Sequence, residues 1–225
     1  MKRTVLTVVV AALAWSVTRA ETDVRLPGLV VHGDSAPSIE ASGKISLTNG
    51  ILEFVAVEAG GRDYESLLTL DCKPSVLQSA LLLIGCETGA VRQTAANART
   101  GTLLTLEVAW IADGKPRRAP VASLLLDRTT QTSPAPLSWI FNGSYFIKHP
   151  ITSNTVFLAD EERAHVALWW QPSIPINLGG DYGNPYKAGA RGLEANPATV
   201  PPHGTPITLI LRPRAPAAET KGISK

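Results

Sequence analysis

The chain has 225 residues, 44% of them hydrophobic and 18% charged, with 21 Lys and Arg against 19 Asp and Glu. Three of the cations, Lys2, Arg3 and Arg19, fall in the first twenty residues and no acid does, so the remainder carries 18 basic against 19 acidic side chains. A near-neutral chain without a Lys/Arg run lacks the electrostatic footprint of a nucleic-acid binder, and two cysteines cannot hold an iron–sulfur cluster alone.

Residues 1–20 have the build of a secretory signal: Lys2 and Arg3, an apolar core from Val5 to Val17, then Thr18-Arg19-Ala20 before Glu21. A membrane anchor is the alternative, but the apolar run is shorter than the roughly 20 residues a spanning helix needs, and Arg19 interrupts it. The expectation is cleavage after Ala20, a periplasmic or secreted address, and no membrane span once the signal is gone. The remaining chain suits a single domain over residues 21–213, followed by a mobile tail at 214–225 without apolar periodicity.

Ile45 and Leu47 alternate before Asn49-Gly50, and Leu52, Phe54 and Ala56 alternate after it, which predicts a hairpin over Gly43 to Glu58. Gly60-Gly61 then turns the chain into Tyr64 to Asp71, giving a three-stranded meander. Pro74 suits a first helical turn, and Val76, Leu77, Ala80, Leu81 and Ile84 share one stripe before Gly85. The spacing predicts a helix over 74–84, and Leu82 and Leu83 widen its stripe enough to predict a largely buried one.

Thr102 to Ile111 reads as a long strand, turned by Asp113-Gly114 toward a partner at Val121 to Leu126. Trp139 to Phe141 and Ser144 to Ile147 flank a second Asn-Gly at 142–143, the pattern of another hairpin. Thr155 to Leu158 and His165 to Trp170 enclose a charged turn at Asp160-Glu161-Glu162-Arg163, and Ile207 to Leu211 is the last strand. Gln171 to Pro206, rich in Pro and Gly, reads as a long loop without regular structure, which in a compact domain is functional or disordered. The predicted fold is mainly β: an antiparallel sandwich or curled sheet of about ten strands with one buried helix.

Cys72 and Cys86 flank that helix. Eleven residues of helix span about 16 Å, too far for an easy bridge, so two small buried apolar residues are expected despite an oxidising compartment.

Leu52-Glu53-Phe54, Gly61-Arg62, Glu65-Ser66-Leu67-Leu68, Lys73-Pro74-Ser75 and Ala80 to Gly85 together resemble the YdjY-like domain, a family of mostly secreted bacterial proteins without an established activity. The resemblance continues more loosely through Trp139, Phe141, Gly143 and Ser144, then Ala159-Asp160, and Pro201-Pro202 with Gly204-Thr205. Relatives often carry His before the glutamate, where this chain has Tyr64. The resemblance implies no catalytic residue.

The residues themselves carry no catalytic signature. Ser144 lacks a Gly-x-Ser-x-Gly context. His32, His149, His165 and His203 stand singly, without paired metal spacing; His165 reads as a cross-strand or surface residue. Asp160, Glu161 and Glu162 read as a solvated turn, and Glu65 as the ion-pair partner of nearby Arg62. The binding clue is aromatic: Trp169 and Trp170 should point to opposite faces of a strand, one into the core and the other toward solvent or the long loop with Tyr182 and Tyr186.

Trp169, Trp170, Tyr182, Tyr186 and Glu65 are therefore the candidate ligand-binding residues, with no catalytic residue, metal or cofactor expected. The expected function is that of a non-catalytic binding or interaction module using residues 171–206, its partner a small molecule, a glycan or an envelope protein. A carbohydrate or cell-wall hydrolase using acids such as Glu65 or Asp160 is the first alternative, and a structural envelope component the second.

Overall fold

The computed structural model describes residues 23–33, 35–89, 100–134 and 136–214. The expected signal and the tail from residue 215 onward lie outside the described residues.

The long strands form where apolar residues alternate. β3 (Ser38–Ile45), β7 (Thr102–Ala112) and β16 (Pro206–Pro213) pair antiparallel in the order β3–β16–β7. Ile39, Ala41, Leu104, Leu106, Val108, Leu209 and Leu211 are all buried in one core. From β7 the ladder continues to β10 (Trp139–Phe141), β14 (Ile176–Leu178), β13 (Ala164–Ala167), β5 (Phe54–Glu58) and β6 (Ser66–Leu70). Residues 68–70 of β6 then pair back onto residues 43–45 of β3.

The result is a closed eight-stranded barrel, not the expected sandwich or curled sheet. Closure is possible because β3 divides one edge between two partners: β2 (Leu29–His32) takes residues 38–41 and β6 takes 43–45. Eight strands leave an interior that side chains can fill. Nor is the wall purely antiparallel, since β5–β6 and β13–β14 run parallel.

Both Asn-Gly hairpins are absent for the same reason. Gly50 does turn the chain, at φ 104°, but β3 already has neighbours on both edges. β4 (Gly50–Leu52) instead pairs with β15 (Leu193–Ala195), which also pairs with β9 (Leu125–Asp127). The predicted meander therefore becomes a parallel β5–β6 pair joined through a 3₁₀ turn at Asp63–Glu65. Beyond Asn142-Gly143, β11 (Phe146–Lys148) pairs with β12 (Thr155–Phe157), while β10 stays in the barrel wall.

Asp113 and Gly114 both take positive φ, 52° and 70°, as a tight two-residue hairpin turn requires. The returning strand is β8 (Lys115–Pro120), not Val121 to Leu126, whose first four residues form a 3₁₀ turn. β8 is an exposed edge whose Pro116 and Pro120, with Lys115, Arg117 and Arg118, discourage further pairing. The segment 171–206 is likewise not structureless, because β14 and β15 arise within it. Outside the barrel, β1 (Val24–Leu26) extends β2.

α1 (Pro74–Leu83) forms where predicted, with Leu77, Ala80 and Leu81 fully buried. It is not buried all round, since Leu82 and Leu83 are 48% and 59% exposed. Their side chains widen the apolar stripe onto the outer face of a helix that contacts the barrel on one side. Cys72 and Cys86 beyond its ends are unbridged and buried, and burial pushes their thiols up to about 12 and about 11.

The charged turn is a short helix, α2 (Leu158–Glu162), ended by Arg163 in the left-handed region. Asp160 accepts hydrogen bonds from Ser75 N (2.8 Å) and Ser75 Oγ (2.7 Å). It thus caps α1, whose own N-cap residue Lys73 offers no acceptor, and places a carboxylate at the positive end of the helix dipole. That partner replaces the fully solvated role expected for it.

Candidate functional site

A cluster of buried acids on the irregular side of the barrel sits where β4 meets β5. Glu53 stands between those strands, its N–H donating to Glu65 O (3.0 Å) and its carbonyl accepting from Leu168 N (2.9 Å). Glu65 ends the 3₁₀ turn that Arg62 begins. Both carboxylates turn inward and are only 6% and 7% exposed.

One guanidinium serves both acids: Arg62 Nη1 lies 3.3 Å from Glu53 and 3.6 Å from Glu65. The same guanidinium sits 4.2 Å above the Phe54 ring, a cation–π contact that fixes its plane. Two acids on one cation leave an excess negative charge in a partly desolvated place. Burial, and then the Glu65 charge, hold the Glu53 carboxyl above its ordinary pKa against the opposing pull of Arg62.

Two tyrosines stand over this cluster. Tyr64 is 70% exposed and Tyr186 60% exposed. Burial, followed by the charges of Glu65 and Glu53, raises the Tyr186 phenol, which places that ring beside the acids. Tyr186 also lines a half-open cavity of about 490 Å³ with Arg128, Lys187 and Gly189, and Arg128 donates to Pro185 O (3.0 Å).

Of the candidate residues, the structure brings Glu65 and Tyr186 together. Tyr182 is instead half-buried beneath Arg191 (4.6 Å), whose Nε and Nη2 reach the buried Asp127 carboxylate at 2.7 and 2.6 Å. Burial opposes ionisation of Asp127, but the Thr129 N–H and Arg191 outweigh it and hold its pKa below the usual range. Trp169 and Trp170 follow β13 in a bend. Trp170 is 8% exposed, while Trp169 is half-buried with no partner for its buried Nε1 among the described residues.

A second polar group holds the chain between β13 and β14. Buried Asn177 donates to Asn142 Oδ1 (2.6 Å) and to the carbonyls of Gln171 (3.0 Å) and Ile174 (2.8 Å), and accepts from Gln171 N (2.7 Å). These bonds close the 171–177 connection between β13 and β14.

His165 is fully buried rather than on the surface. Its Nε2 lies 2.9 Å from Cys72 O and 3.7 Å from Cys72 Sγ, and burial lowers its pKa to about 4. A neutral imidazole beside a protonated thiol is a packing pair, not an activated nucleophile. His149 accepts from Ile151 N and Thr152 N, His32 contacts Asp23, and His203 contacts Ser46 O. Among the described residues no three of His, Cys, Asp and Glu converge on a metal position. Ser144 donates its N–H to Gln78 Oε1 at 2.7 Å, a structural contact.

Sequence reasoning missed Glu53, because an acid between two apolar residues reads as the outward position of a strand. The signal was present in the pairing of Arg62 with more than one nearby acid.

A family model, the YdjY domain, matches residues 24–212. No curated protein and no solved structure matches the chain. No helix among the described residues is long and apolar enough to cross a membrane.

Proposed function

The chain belongs to the YdjY domain family, and from that premise we propose that it is an exported, non-catalytic binding module for a hydroxyl-rich ligand such as a glycan. The observation that carries the reading is one arrangement: two buried carboxylates sharing Arg62, with the exposed rings of Tyr64 and Tyr186 beside them. Fixed acceptors and a guanidinium suit vicinal hydroxyls, and aromatic faces suit the apolar side of a sugar ring. The 171–206 segment supplies Tyr186, whose N–H donates to Asn184 Oδ1, a local bond that reduces the ordering cost of binding. The signal-like pattern of residues 1–20 supports export.

A hydrolase is the second reading, favoured by the raised pKa of Glu53 next to a second acid, a pairing of the kind that general acid–base chemistry uses. One experiment separates the two. Wild type, Tyr186→Ala and Glu65→Gln are incubated with purified peptidoglycan and with soluble oligosaccharides, and both retention and product release are measured. Retention that falls at least about tenfold in Tyr186→Ala, a loss on the scale of 1.4 kcal/mol, with intact ligand recovered, supports the binding module. Retention unchanged in that variant, or absent from wild type, overturns it; product release that Glu65→Gln abolishes replaces it with the hydrolase.

A further inference from the structure

Two strands of the barrel divide one edge between two partners, and the two forks are built differently. At β3 the edge passes from β2 to β6 around Ser42, which donates to Gly28 O and accepts from Asp71 N, both at 2.9 Å. There the chains press together so closely that a Cβ on Gly28 would lie 2.5 Å from the Asp71 carbonyl. That fork is sealed.

At β7 the edge passes from β10, which pairs residues 102–104, to β8, which pairs residues 107–112. Thr105 and Leu106 lie between the two partners, paired with neither on this edge, while their other edge pairs with β16. A half-open cavity of about 370 Å³ occupies the gap, with the core residues Leu106 and Trp139 at its inner end and Pro120, Ala122, Pro136 and Leu137 along its sides. A volume in this range and a mostly apolar lining are those of a small-molecule site.

The rim is charged. Glu107 lines the cavity, and its Oε2 accepts from both Arg118 and Arg212, the latter at 3.1 Å. Arg212 is also the cross-strand partner of Thr105. Two guanidiniums on one carboxylate leave one positive charge in excess at the mouth of an apolar slot. Such a mouth favours an anionic head with an apolar tail.

We infer that this lateral slot binds an amphipathic monocarboxylate, its tail against Leu106 and Trp139 and its carboxylate on the N–H groups of Arg118 and Arg212 that Glu107 leaves free. The site is independent of the Tyr186 cluster and stands whether or not that cluster binds a glycan. Isothermal titration of the full chain uses decanoate, octanoate and decanol as probes. Decanoate is expected to bind at micromolar concentration, octanoate about tenfold more weakly for its two missing methylenes, and decanol at least fivefold more weakly for its missing charge.

The double substitution Arg118→Gln and Arg212→Gln should erase the preference for decanoate over decanol, and Ala122→Phe, a change at a half-exposed wall position, should abolish binding of both. Circular dichroism checks that each variant folds. Decanol binding as well as decanoate to wild type, no binding of decanoate at 100-fold above the micromolar range, or undiminished binding to a folded Ala122→Phe variant would each overturn the assignment.

Discussion

The two sides of the barrel wall use different means to hold shape. The β3–β16–β7 side consists of strands of 8 to 11 residues in unbroken antiparallel register. The β10–β14–β13–β5–β6 side consists of strands of 3 to 5 residues, with two parallel pairs and register shifts between β13 and β5. Short strands leave more backbone to be satisfied otherwise, and the buried side chains of Asn177, Asn142 and His165 do it, while the buried Glu53 and Glu65 carboxylates are held by Arg62. The long-strand side is held by apolar area, while the other is held by specific polar partners and carries the candidate site. Stability on the first side should be insensitive to pH, and on the second it should not.

The largest effect belongs to the long-strand side. Leu209 is fully buried at the middle of β16, between Ala41 and Val108. Leu209→Ala should lower stability by about 2–5 kcal/mol through lost transfer energy and an unfilled cavity. Urea denaturation at pH 7 and at pH 5 should give the same loss, and a loss that changes strongly with pH would break the contrast between the two sides.

The second effect belongs to His165. Its folded pKa, about 4, lies below the unfolded value near 6.5, so below pH 6.5 the unfolded chain takes up a proton that the folded chain refuses. Its contribution is present above pH 6.5 and is lost as pH falls through 4, by about 3 kcal/mol for a fully buried group. His165→Leu removes the bond to Cys72 O and should be less stable at neutral pH, yet its stability should fall less between pH 6.5 and 4.5 than that of wild type. Parallel acid limbs for the two proteins in urea titrations would show that His165 does not titrate as its burial requires.

The same division explains what the sequence made legible. In β7 and β16 each strand has one apolar face, so period-two alternation reads directly, as does the helix set by Pro74 and Leu77 to Leu81. In β5, Phe54, Val55, Ala56 and Val57 are buried on both faces, so alternation carries no register there. The Asn-Gly pairs at 49–50 and 142–143 mark turns, but a turn signal says nothing about whether the flanking strands already have other neighbours. Barrel closure depends on the 43–45 to 68–70 pairing, which joins the ends of two unremarkable apolar runs. Of the site, Glu65 and Tyr186 were legible by residue type. Glu53 and the cap that Asp160 gives to α1 were not, because both depend on contacts distant in sequence or on a strand that ends one residue early.

The smallest effect is the one that tests the candidate site itself. Glu53 has a folded pKa above its unfolded value, from burial and then the Glu65 charge. Its contribution to stability is therefore fully present below the unfolded pKa and is lost as pH rises through the folded one, the reverse of the His165 dependence. Glu53→Gln removes the repulsion while keeping an oxygen to accept from Arg62, and should match or exceed wild type at pH 7 by about 1 kcal/mol or less. Below pH 4 the two should converge, since Glu53 is then neutral in both states of the wild type. A Glu53→Gln protein that is less stable than wild type at pH 7, and by the same margin at pH 4, would mean that the pull of Arg62 outweighs burial and the Glu65 charge at Glu53. The raised Glu53 carboxyl that favours the hydrolase reading would then be absent, and with it the physical distinction between the polar side of this barrel and an ordinary buried ion pair.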